Sequence, residues 1–173
     1  MDYETTIDQT DVVIDDTEIF QVLNSDFTIE VSTTATNNVH PQSAVPLYFT
    51  GNPEQAGQVG LSIGHELSNE ALQVRMGDGT QHATVNFEYG FTLSLDTPAT
   101  WRVTCRLDGS GRRCSVLLNG QRTTPEFADF AVAGNIYNNN GGVFGDVWGW
   151  RFIGTLHYIQ VGPSGKRTHF PSL

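Results

Sequence analysis

Residues 101–120, WRVTCRLDGSGRRCSVLLNG, decide the fold. Trp101, Val103, Cys105 and Leu107 alternate with Arg102, Thr104 and Arg106, so the two sets fall on opposite faces of a β-strand. Asp108-Gly109-Ser110-Gly111 is a turn signal, and Cys114, Val116 and Leu118 alternate again after it. The stretch reads as one β-hairpin. If Leu107 pairs with Arg112, Cys105 falls opposite Cys114, and all the apolar residues share one face. A slip of one residue would turn that face to water, so the pattern selects this register. Trp101 is then a core residue and not a ligand contact. The two cysteines can form a cross-strand bridge in this register. They can equally remain a reduced pair buried among Val103, Val116 and Leu118, since cysteine is often buried as a small apolar residue.

The same alternation recurs on both sides of the hairpin. Upstream it marks Phe27/Ile29/Val31, Val45/Leu47/Phe49, Val59/Leu61/Ile63, Leu72/Val74/Met76, Ala83/Val85/Phe87 and Phe91/Leu93/Leu95. Downstream come a run around Phe127, Phe130 and Val132 and a last strand between Phe152 and Val161. Short strands separated by turn residues, with no sustained helical period, predict a β-sandwich or barrel. The 173 residues carry 18 glycines and a single lysine, Lys166, which argues against long helices. One domain over residues 1–173 is expected, with the polar residues 1–10 loosely held.

The formal net charge is −10, and no strongly basic side chain precedes Arg75. Without a Lys/Arg cluster the chain is not expected to bind nucleic acid. No apolar run approaches the roughly 20 residues of a spanning helix. The acidic start MDYETTIDQTDVVIDD does not resemble a secretory signal, so either that route is not used or a signal has already been removed. No Asn-Xaa-Ser/Thr sequon occurs.

The hairpin and the last strand resemble a laminin-G-like domain of the concanavalin A-like superfamily. The resemblance rests on Trp101, on Asp108-Gly109, on Asn119-Gly120 and on the closing Arg151-Phe152-Ile153-Gly154-Thr155-Leu156. The early strand Asp26-Phe27-Thr28-Ile29-Glu30-Val31 adds to it. It implies an all-β fold, a two-sheet antiparallel jelly-roll sandwich whose first and last strands lie close together. It also suggests an extracellular or surface location. Leu156, Ile159 and Val161 break strict alternation, and a bulge near His157-Tyr158 would bring all three to the core.

Catalysis finds little support. Asp15 and Asp16 are adjacent and would point to opposite faces, and Glu126 and Asp129 do not share a strand face, so no carboxylate pair suits glycoside hydrolysis. There is no Gly-Xaa-Ser-Xaa-Gly elbow, and the histidines have no metal-ligand spacing. Gly77-Asp78-Gly79 and Asp108-Gly109-Ser110-Gly111 look loosely like phosphate or calcium loops but read better as hairpin turns. No cofactor is expected. Many domains of the resembled family bind calcium, and Asp146 with Asn138, Asn139 or Asn140 could supply oxygen ligands; an ordinary Asn/Gly-rich loop is the stronger reading.

The stretch that carries most functional promise is Tyr137 to Arg151, YNNNGGVFGDVWGWR. Exposed Trp and Tyr rings stack on sugars, and Asn, Asp and Arg supply directional hydrogen bonds. Trp150 alternates with Phe152 and reads as core. Tyr137, Asn139, Asp146, Trp148 and Arg151 are the expected ligand contacts of a non-catalytic binding module for carbohydrate. The alternative is a protein-interaction or assembly domain of a larger surface or viral attachment structure. An enzyme would require the fold to bring distant carboxylates together.

Overall fold

The structure is a computed structural model, and it describes residues 5–8, 12–14, 20–37, 44–49, 55–66, 70–90, 96–138, 142–144 and 153–163. Thirteen strands run in chain order through these residues: β1 (Thr5–Asp8), β2 (Val12–Ile14), β3 (Phe27–Asn37), β4 (Ala44–Phe49), β5 (Val59–Glu66), β6 (Ala71–Asp78) and β7 (His82–Glu88), then β8 (Pro98–Leu107), β9 (Arg112–Leu118), β10 (Gln121–Arg122), β11 (Ala128–Phe130), β12 (Gly142–Phe144) and β13 (Ile153–Pro163). One sheet has the order β1-β13-β3-β8-β9-β10, with β11 also paired to β9; the other has the order β2-β12-β4-β5-β6-β7. Every pairing is antiparallel. This is the expected two-sheet jelly-roll sandwich. The proposed strand over Phe91, Leu93 and Leu95 lies outside the described residues.

The hairpin forms in the predicted register. Leu107 faces Arg112, Cys105 faces Cys114 and Trp101 faces Leu118. Cys105 and Cys114 are joined as a disulfide with their Cα atoms 4.2 Å apart. Trp101, Val103, Cys105, Cys114, Val116 and Leu118 are all buried. They meet Leu61, Ile63, Leu72, Val74 and Met76 from the opposing sheet in one core cluster. The last strand carries a register shift between Leu156 and Tyr158. Leu156, Ile159 and Val161 are therefore all buried. The first and last strands pair, with Thr5 opposite Leu156 and Asp8 opposite Ile153. The sequence reading leaves residues 1–10 loose because their side chains are mostly polar. Strand pairing uses backbone groups, which Thr5–Asp8 supply whatever their side chains.

One close approach and one tight turn shape the two ends of the hairpin. A Cβ on Gly111 would lie 2.1 Å from the Phe130 carbonyl oxygen, so only glycine lets β11 seat on β9. At the far end Asn119 and Gly120 both have positive φ, the signature of a tight two-residue turn into β10.

A polar chain ties the two sheets together. Asp78, at the β6–β7 turn, accepts backbone N–H bonds from Thr80 (2.9 Å) and Gln81 (2.7 Å) on Oδ1 and from Gly134 (2.9 Å) on Oδ2. The Gly134 carbonyl in turn accepts from Arg112 Nη2 at 3.1 Å, and Arg112 Nη1 donates to the Ser25 carbonyl at 3.2 Å. Burial by itself would raise the Asp78 pKa, but the N–H groups of Gln81, Thr80 and Gly134 outweigh it and hold the carboxyl below its ordinary 3.8. A folded value below the unfolded one stabilises the protein at higher pH, and that contribution is lost as acid protonates the folded carboxylate. Asp78→Asn is thus expected to cost about 1 kcal/mol at neutral pH. It should also flatten the fall in the urea midpoint as pH drops below about 4. Parallel acid limbs in the two proteins would contradict this.

Candidate functional site

Of the five expected ligand contacts, the structure describes one. Tyr137 is 2% exposed, and its ring meets that of Phe20 edge-on with centroids 5.8 Å apart. This corrects its expected role as an exposed stacking ring, because the side chain is spent on the core. Asn139, Asp146, Trp148 and Arg151 lie outside the described residues, as does Trp150. The start of their segment is firmly held. Asn24 Oδ1 accepts the backbone N–H groups of Ile136 (2.9 Å) and Tyr137 (3.0 Å), and Asn24 Nδ2 donates to the Tyr137 carbonyl at 3.0 Å. The middle is held too, since β12 pairs with β2 on one side and β4 on the other. β12 belongs to one sheet and β13 to the other.

Of the carboxylates weighed for catalysis, Asp15 and Asp16 lie outside the described residues, and Asp129 and Glu126 are occupied. Asp129 takes a two-pronged contact from Arg113, Nε to Oδ1 at 2.7 Å and Nη2 to Oδ2 at 3.0 Å. Glu126 pairs with Arg122. Among the described residues, no three His, Cys, Asp or Glu side chains are grouped to hold a metal ion. The calcium ligands considered above lie mostly outside those residues; Asn138 is described and exposed. His157 sits at the β13 bulge with Nε2 2.8 Å from Thr34 Oγ1. No helix among the described residues is long and apolar enough to cross a membrane.

Both sheets carry polar groups on their outer faces. On the β2-β12-β4-β5-β6-β7 sheet, Gln73 Nε2 donates to Asn86 Oδ1 at 2.8 Å, with Arg75 and Thr84 opposed on the same face. On the other sheet Glu30, Arg102 and Tyr158 form a cluster that the sequence reading missed. Glu30 is 4% exposed, yet its position on β3 points away from the core. Arg102 Nε and Nη2 both reach Glu30 Oε2 at 2.6 Å, and the Tyr158 hydroxyl donates to Oε1 at 2.8 Å. Charge opposite charge at outward positions of Phe27–Val31 and Trp101–Leu107 is the only trace in the sequence. The pairing of Glu30 with Arg102 spans 72 residues and becomes visible only with the register.

Beside this cluster lies a cleft of about 400 Å³ lined by Glu30, Thr100, Arg102, Leu117, Asn119 and Gly120. Thr100 Oγ1 donates to Ser32 Oγ at 3.2 Å, and the Thr100 N–H donates to Asn119 Oδ1 at 2.8 Å.

No protein-family model and no curated protein matches the sequence. Solved structures do match. The CBM40 module of a Ruminococcus gnavus sialidase, bound to α2,3 sialyllactose, is 12% identical with a TM-score of 0.65 over 92% of this chain and 89% of that one. Domains LG4-5 of the mouse laminin α1 chain are 10% identical with a TM-score of 0.60, over 98% of this chain and 42% of that one. A leech intramolecular trans-sialidase is 14% identical with a TM-score of 0.63, over all of this chain and 26% of that one. At such identities the likeness is one of architecture, and it agrees with the strand order above: the chain has the concanavalin A-like jelly-roll fold.

Proposed function

We propose that the domain is a non-catalytic carbohydrate-binding module that holds its glycan against the segment from Asn138 to Arg151. The observation that carries the reading is the anchoring of this segment. A stretch rich in Trp, Asn, Asp and Gly is clamped at its start by Asn24 and bound in its middle through β12. Rigid anchors lower the ordering cost that a loop pays on binding. The structural neighbour from Ruminococcus gnavus is itself bound to sialyllactose, which supports the same ligand class here.

In this reading Trp148 stacks on the sugar, while Asn139, Asp146 and Arg151 orient its hydroxyl groups. No cofactor is required. Trp148→Ala is expected to abolish signal on a glycan array, a loss of at least about 2 kcal/mol in binding, with the thermal transition nearly unchanged. A collapse of the transition would place the indole in the core and remove it from the site. The array signal is expected to persist in a calcium chelator; its loss would put a cation at Asp146 and the neighbouring asparagines.

A further inference from the structure

The cleft on the outer face of the β1-β13-β3-β8-β9-β10 sheet is built from two rows of paired residues. Glu30 stands opposite Arg102, and Arg102 opposite Leu117, across β3, β8 and β9. In the next row Ser32 stands opposite Thr100, and the Asn119 N–H bonds the Thr100 carbonyl at 2.8 Å. The rows leave a polar trough with an aliphatic floor at Leu117.

The hydrogen-bond inventory defines what can enter. Both Glu30 oxygens are already engaged, by Arg102 and by Tyr158. Asn119 Oδ1 is engaged by the Thr100 N–H. Among the described residues, Arg102 Nη1 and Asn119 Nδ2 have no acceptor. The Thr100 hydroxyl donates to Ser32 and keeps lone pairs to accept with. A Cβ built on Gly120 would meet nothing within 4 Å, so that side of the trough is open. Arg102 is neutralised by Glu30, which removes the pull on an anion.

A ligand that fits must offer acceptor oxygens along one edge, a hydroxyl proton for Thr100, and C–H groups for Leu117, with no net charge. Those are the properties of a neutral pyranose. The volume of about 400 Å³ falls within the range of small-molecule sites. We infer that this cleft is a second glycan contact, selective for uncharged sugar hydroxyls, an inference that rests on the carbohydrate-binding reading.

The test is an amide chemical-shift titration of the whole domain with lactose, cellobiose and mannobiose, each compared with α2,3-sialyllactose. Neutral disaccharide is expected to move the amides of Thr100, Leu117, Asn119 and Gly120. Leu117→Glu, which sets a carboxylate on the floor, is expected to weaken that response about tenfold. Arg102→Lys keeps the charge beside Glu30 but removes the planar second donor, and it is expected to weaken the response similarly. If Leu117→Glu does not fold, Arg102→Lys carries the test alone. Shifts confined to residues 138–151, unchanged by both variants, would overturn the cleft and leave the carbohydrate reading standing. A cleft response only to the sialylated sugar would also overturn it. No response to any sugar, together with a blank glycan array, would overturn both.

Discussion

Trp101→Ala is expected to destabilise the domain by about 3–5 kcal/mol, read as a fall in the urea midpoint at constant slope. The indole is 2% exposed and is the largest fully buried side chain among the described residues. It stands opposite Val31 on one side and Leu118 on the other, so it holds the middle of three neighbouring strands. With Leu72, Tyr89, Val116 and Leu118 it lines a small apolar gap between the sheets. No rotamer of these neighbours can refill the volume of an indole, so a cavity term adds to the lost transfer energy. Against a domain stability of roughly 5–15 kcal/mol, this one change removes a large share. A loss below about 1 kcal/mol would mean that the ring is not where the two layers meet.

The second large effect is expected at Arg112. Its alternation puts it in phase with Cys114 and Val116, on the face that looks inward, and it is 1% exposed. Burial lowers its pKa, while the charges of Asp26 and Asp78 work in the other direction. Arg112→Met keeps much of the side-chain length and loses every donor. The Ser25 and Gly134 carbonyls would then be left without that partner. Each such loss costs about 1–3 kcal/mol, so about 3 kcal/mol in total is expected from the urea midpoint. Buried ion networks are sometimes replaced by apolar groups without penalty. Here the partners are backbone carbonyls that cannot be changed with the arginine, so a neutral result would show that water enters and bonds them instead.

The hairpin was legible because three local signals agree there: the period of two, the Asp-Gly and Asn-Gly turns, and a cysteine pair that fits one register only. The bulge before Tyr158 was legible for the same reason, since Leu156, Ile159 and Val161 cannot share a face without it. What escaped depends on partners far along the chain. Tyr137 precedes an Asn/Gly run and looks like a rim aromatic. Its fate is decided by Phe20 and by Asn24, which bonds it from 113 positions away. Glu30 and Arg102 look like ordinary solvated charges until β3 and β8 are paired. Arg112 did carry a local signal, an arginine in phase with Cys114, but phase alone does not decide burial there, since Leu107, in phase with Cys105 and paired with Arg112, is 40% exposed.

The pairing of β1 with β13 has a mechanical consequence. The strands run antiparallel, so the start of β1 at Thr5 and the end of β13 at Pro163 point toward the same end of the sheet. Tension applied through the two termini would therefore peel β1 away bond by bond, beginning at Thr5 and Leu156, instead of shearing all four pairs at once. A module tethered in series with others would yield first at that seam and at low force, while its stapled hairpin stayed closed.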